Sequence, residues 1–177
     1  MNLNLILPLK KIILPQSNKK IMIPKLGLKH YNLLKDVKGP DENMKILADS
    51  ICKNMSPADF DFACLHILEF NNKLKSEVEK DGFTYKLDDV YVCQRTEFQF
   101  QGNTFYFRPP GKFEQFATIS EMLSNCLIKV NDEEKEISFL EMPAFVIKWA
   151  EDLSTTIAIP GPNGPIKGIA EIIGLLE

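Results

Sequence analysis

The chain has 177 residues, 45% of them hydrophobic and 25% charged, with a formal net charge of −3 and a pI near 5.5. A chain of this length buries roughly 70% of the surface its unfolded form exposes, so one domain spanning 1–177 with its own core is expected and disulfides are not required. The ordinary apolar content excludes wholesale disorder, and the acidic balance excludes a nucleic-acid groove, whose affinity rests on neutralising phosphates.

Residues 1–24 read as an N-terminal β arm. Leu3 to Leu14 and Lys20 to Ile23 are short alternating segments ended by Pro8, Pro15 and Pro24, which belong at strand ends or edges. Such an arm either closes a sheet edge within its own chain or adds to a neighbour's sheet. Lys10, Lys11, Lys19 and Lys20 are the best basic cluster, and they read as edge lysines that discourage aggregation. The opening MNLNLILPLKK is unlike a signal peptide, because its charges follow the apolar run and Pro8 cuts that run short.

A short helix is predicted near Lys29 to Lys35, stopped at Gly39-Pro40. Met44, Leu47, Ala48, Ile51, Cys52 and Met55 then recur along one helical face, in a helix opening near Asp41. The next helix begins with Ser56 as cap, Pro57 at the first helical position and Asp59 in the first turn. It carries Phe60, Ala63, Cys64, Ile67 and Leu74 inward and frays in the polar run KSEVEKDG. These two helices, within 41–80, form a predicted hairpin.

Residues 83–110 read as an antiparallel β-meander. FTYKL and VYVCQ make one strand pair joined at Asp88-Asp89. Phe98 and Phe100, then Phe105 and Phe107, alternate across a Gly102-Asn103 break that suits a type II′ turn. This ribbon must pack its phenylalanine face on helices, since a lone hairpin is marginal in water. The expected fold class is therefore α+β: an antiparallel β-meander packed with a helical hairpin and C-terminal helices in 118–177.

After the Pro109-Pro110-Gly111 turn, Thr118 and Glu121 form a predicted capping box. Its helix carries Ile119, Met122, Leu123, Cys126, Leu127 and Val130 on one stripe. NDEEKE, from Asn131 to Glu136, lacks the ligand spacing of a calcium loop and reads as a solvated loop. A further helix starts around Pro143 and presents Phe145, Val146, Trp149 and Leu153. The tail joins a rigid turn, Ile159 to Pro165, to the apolar helix IKGIAEIIGLLE. Ile166, Ile169, Ala170 and Ile173 make one face, while Ile172, Leu175 and Leu176 widen it beyond a surface helix. Such a helix is either buried or docked on a partner. No stretch reaches the ~18–20 uninterrupted apolar residues of a membrane span.

Candidate chemistry is sparse. His66 and Glu69 form an HxxE pair at helical spacing, which would suit a zinc-dependent hydrolase if a third ligand existed; the only other histidine is His30, with no motif around it. No GxSxG elbow places a nucleophilic serine. Cys52, Cys64, Cys93 and Cys126 include no CxxC pair and read as reduced residues of a protein made in a cytoplasm, with Cys93 an inert strand cysteine. GPNGPIKG has the glycines of a phosphate loop, but its prolines remove the amide donors.

Four segments carry a family resemblance: IPKLGLKHYNLLKDVKGPDENMKILADSI, MSPADFDFACLHILEFNNKL, FQFQGNTFYFRPPGKFEQF and TTIAIPGPNGPIKGIAEIIGLL. Together they resemble the baseplate hub distal subunit of T4-like tailed bacteriophages, over essentially the whole chain. The wider group of T4-like hub-assembly proteins is similar and sometimes places a cysteine-rich zinc knuckle in the ribbon, where this chain has only Cys93. The resemblance implies a non-enzymatic structural or assembly component of the central hub of a contractile tail. It would sit in the virion baseplate after assembly in the infected bacterial cytoplasm, binding other hub subunits or hub-assembly proteins.

No catalytic residue, metal ligand or cofactor is carried over, and no nucleic acid or small-molecule substrate is expected. The expected contacts are Pro160, Gly161, Pro162, Asn163, Gly164 and Pro165 with Ile169, Ile172, Ile173, Leu175 and Leu176, and secondarily the arm Leu3 to Leu14. The alternatives are the zinc hydrolase using His66 and Glu69, or a membrane-surface protein anchored by the apolar C-terminal helix.

Overall fold

The computed structural model describes residues 7–36 and 39–177; residues 3–6 of the expected arm lie outside them. The chain is organised around one helix, Pro57–Phe70 (α3). Its start follows from its first residues: Ser56 is extended and accepts a hydrogen bond from the Asp59 amide at 3.2 Å, with Pro57 at the first helical position. Unlike a surface helix, it is buried on nearly every side, from Ala58 through Ile67 with the exception of Phe62.

Three groups of residues surround it. The hairpin of Leu9–Ile13 (β1) and Lys20–Pro24 (β2) turns Ile12, Leu14, Ile21 and Ile23 onto Ala63 and Ile67. Leu28–Leu34 (α1) follows, then Pro40–Ile51 (α2), whose Ala48 meets Phe60 and Cys64. The third group comes from the far end of the sequence, where Ile157, Ile159, Ile172 and Leu176 cluster with Leu65.

A second, aromatic core lies in the sheet of Glu97–Phe100 (β6), Asn103–Phe107 (β7) and Leu127–Val130 (β8), in that order. Two helices cover it, Ile119–Cys126 (α4) and Val146–Ser154 (α5). Trp149 stacks on Phe98 with centroids 5.1 Å apart and also touches Phe105 and Phe107. Each such ring brings 150–250 Å² of apolar surface out of water.

The α+β class is as expected, but the ribbon 83–110 is divided among separate sheets. Phe83–Lys86 (β4) pairs with Glu77–Lys80 (β3), and Tyr91–Val92 (β5) pairs instead with Ile157–Ile159 (β9). The polar run read as a fraying helix end is thus β3. Its turn, Asp81-Gly82, has φ of 53° and 74°, the left-handed pair of a type I′ hairpin that Asp-Gly favours. The β6–β7 hairpin forms as expected in its strands. Its two-residue loop is Gln101-Gly102, with φ of 49° and 76°, so the turn is also type I′ and Asn103 already belongs to β7.

Further differences are local. The stripe through Leu127 and Val130 leaves the helix at Cys126 and continues as β8, where the β-branched Ile128 and Val130 favour an extended chain. Thr118 caps α4 at 3.1 Å as expected, but the Glu121 carboxylate accepts from Ala117, one residue before the cap. Pro143 precedes α5 by one turn, and Phe145 stands at its cap, partly exposed, with its ring against Phe100 and Trp149. The N-terminal arm closes no sheet edge of the ribbon: β1 pairs with β2 alone among the described residues.

Candidate functional site

The C-terminal segment is built from β9, a turn, the short strand Ile166–Lys167 (β10) and Ile169–Leu176 (α6). Ile166 lies opposite Ile159, so residues 160–165 form a closed loop between paired strands. Gly161 is required there, because a Cβ would come 2.8 Å from the Gly164 carbonyl. Gly168, with φ of 98°, turns the chain into α6, and its amide donates to the Ile157 carbonyl at 2.9 Å.

These features sort the expected contact residues into two groups. Pro160, Pro162, Asn163, Gly164 and Pro165 are exposed and Gly161 is half-buried. Ile172 and Leu176 are fully buried in the chain's own core, with Ile169, Ile173 and Leu175 half-buried against it. The helix is also tied by hydrogen bonds from the Lys75 amide to Leu176 and from Lys80 Nζ to Gly174. The turn is thus presented outward by a helix that the molecule holds for itself.

His66 and Glu69 do not act together. Glu69 is ion-paired with Lys10 of β1. His66 is buried, with its ring 4.6 Å from that of Phe62 and Nδ1 without a hydrogen-bond partner among the described residues. Burial, with Lys10 nearby, pushes its pKa down to about 4, outweighing the carboxylates of Glu69 and Asp88. His30 Nδ1 accepts from the Gly27 amide in the first turn of α1. Among the described residues no group of three His, Cys, Asp or Glu side chains could hold a metal ion, and no helix is long and apolar enough to cross a membrane.

All four cysteines are free. Burial raises the pKa of Cys64, Cys93 and Cys126, which keeps these thiols protonated and poorly nucleophilic. Asp61, buried on α3, accepts from Thr156 Oγ1 at 2.5 Å and pairs with Lys112 Nζ at 2.5 Å, joining α3 to the strand and loop that flank it. This is a structural junction between distant parts of the chain.

Sequence periodicity did not reveal one exposed surface. Helix α1 buries none of its residues; Leu28 is 74% and Tyr31 68% exposed. The outer face of the adjacent hairpin exposes Leu9, Ile13 and Met22. A signal was present in the charge distribution: residues 1–35 contain seven of the 21 basic residues and none of the 24 acidic ones.

A chain with free thiols, an HxxE pair split between a buried histidine and a lysine-paired glutamate, and outward-facing turns and apolar patches has the build of a component completed by neighbours. Residues 23–176 match the family described as baseplate hub distal subunit, and the chain belongs to that family. It is a structural or assembly subunit of the baseplate hub of a T4-like phage, a component of the virion tail, and not an enzyme. It is 73% identical over 177 residues, all of both chains, to the baseplate hub assembly protein gp28 of Enterobacteria phage T4. No solved structure matches the chain.

Proposed function

We propose that this subunit is a non-catalytic connector that is made in the host bacterial cytoplasm and docks another hub subunit through the turn Pro160 to Pro165. The half-buried flank of α6, with Ile169, Ile173 and Leu175, borders that contact. The observation that carries the reading is the contrast between an exposed Pro/Gly turn and the fully buried Ile172 and Leu176 behind it. A pre-ordered loop loses little conformational entropy on binding, so its contacts are retained as affinity. Ile172 and Leu176 serve by holding the turn in place and not by touching the partner.

Deleting α6 would remove core residues and unfold the chain, so the test alters the turn alone. Tagged wild type and a variant with Pro162→Ser, Asn163→Lys and Pro165→Glu are recovered from infected cells, and partners are read by mass spectrometry. The expected outcome is that wild type brings down hub subunits and the variant brings down at least tenfold less of one of them. Equal recovery would move the contact away from the turn. Recovery of no hub subunit by wild type would overturn the connector reading.

A further inference from the structure

We propose that β1 and α1 form a second docking surface, which takes an extended acidic segment of another hub subunit as an added strand on the open edge of β1. The inference rests on the connector reading and names the chemistry of one partner.

The backbone geometry defines the edge. The Leu14 amide donates to Lys19 and the Lys25 amide to Pro8, and the register pairs Lys10 with Ile23 and Ile12 with Ile21. In an antiparallel pair alternate residues turn their N–H and C=O groups outward, so Leu9, Lys11 and Ile13 direct theirs away from β2. Among the described residues no strand pairs with that edge. The outward row also carries exposed side chains: Leu9 and Ile13 on either side of Lys11.

Across the outer face of the hairpin lies a groove of about 390 Å³, lined by Leu9 of β1, Met22 and Pro24 of β2, Lys29 and Leu33 of α1 and Ile51 of α2. A strand added at β1 would gain affinity from main-chain hydrogen bonds and selectivity from the exposed Leu9, Lys11 and Ile13 side chains beside it, with the groove bordering the same face. A bilayer, by contrast, offers no backbone to pair with the outward N–H and C=O groups of β1, whereas an extended peptide does.

Charge chooses the occupant. Lys11, Lys20, Lys29 and Lys35 are exposed and make no ion pair among the described residues. Residues 1–35 contribute no carboxylate, and Glu69, the acid that reaches β1 from α3, is already paired with Lys10, so the unpaired charges these residues present are positive. An isologous pairing of two β1 edges centred on Lys11 would set lysine against lysine, which is destabilising. An acidic strand meets complementary potential, which speeds encounter and rejects like-charged competitors. Lysine on an edge guards against indiscriminate strand pairing, and here the same guard makes the edge selective for acidic partners.

The test combines charge reversal with zero-length cross-linking. Tagged wild type and a Lys11→Glu, Lys29→Glu, Lys35→Glu variant are treated with carbodiimide in lysates of infected cells, which joins lysine amines to carboxylates in direct contact. The three sites are exposed, so the variant is expected to melt with wild type. Cross-links from Lys11, Lys20, Lys29 or Lys35 to Asp or Glu of a hub subunit, with at least tenfold less of that subunit recovered by the variant, are the expected result.

Equal recovery of hub subunits by both forms would overturn this inference while leaving the connector reading standing. Cross-links only to a second copy, or flotation of wild type but not the variant on phosphatidylglycerol vesicles without hub cross-links, would overturn it in favour of those occupants. Recovery of no hub subunit by wild type would overturn both.

Discussion

Two helices of this subunit look alike as strings of letters and end in opposite environments. In α6, IAEIIGLL, Ile172 and Leu176 are fully buried, whereas in α1, LKHYNLL, no residue is buried. The difference lies in what each meets: α6 lies under β9 and against α3, while α1 rests on α2 with a groove between it and the hairpin, outside every buried cluster. An apolar helix is therefore evidence of a need for cover, and the rest of the fold decides whether the chain supplies it.

The sharpest way to break that comparison is to truncate α6. Ile172→Ala and Leu176→Ala are each expected to lower stability by about 2–5 kcal/mol, as buried large-to-small changes do, read by urea unfolding of the full chain. A loss below about 1 kcal/mol in both would mean that α6 is not part of the core.

Between the two regions stands α3, and its His66 gives a pH signature. Its ordinary pKa of 6.5 falls to about 4 in the folded protein. Between those values the unfolded chain takes up a proton that the folded one does not, so stability falls as pH drops from 6.5 toward 4 and the contribution is flat below 4. The expected loss is up to about 3 kcal/mol. His66→Gln should remove it, and an unchanged difference between wild type and variant across that window would refute the assignment.

Asp59 ties the N-terminal hairpin to α3 by accepting from the Gln16 and Ser17 amides at 2.8 and 3.1 Å. Asp59→Ala is expected to cost about 1–3 kcal/mol, since two hydrogen bonds to a carboxylate are lost. Faster hydrogen exchange at Gln16 and Ser17 would locate the effect. The smallest change is expected at α1: Leu28→Ala and Tyr31→Ala should stay within about 0.5 kcal/mol of wild type. A cost equal to that in α6 would erase the contrast.

Much of the local structure was legible. Ser56-Pro57 marks the start of α3 and Thr118 the start of α4, because caps are short-range chemistry. The alternation of Phe98, Phe100, Phe105 and Phe107 identified the strands of one hairpin. The Asp81-Gly82 turn was also legible in principle, but the charged residues of β3 masked it as a helix end. Strand partners were less so: β5 pairs with β9 from 67 residues away in the register Tyr91 to Ala158, and no local pattern encodes that choice.

The candidate surfaces divide in the same way. The turn Pro160 to Pro165 was readable because prolines and glycines restrict the backbone directly, and the positive N-terminal segment is a matter of counting charges. The sequence by itself determined the caps, the tight turns, the amphipathic faces and, through whole-chain likeness, the family. Only the tertiary structure decided that α3 is the shared wall of several clusters, that α6 is covered and that α1 is bare. Burial depends on which distant segments share a face, and side-chain periodicity records that a face is apolar without recording what lies against it.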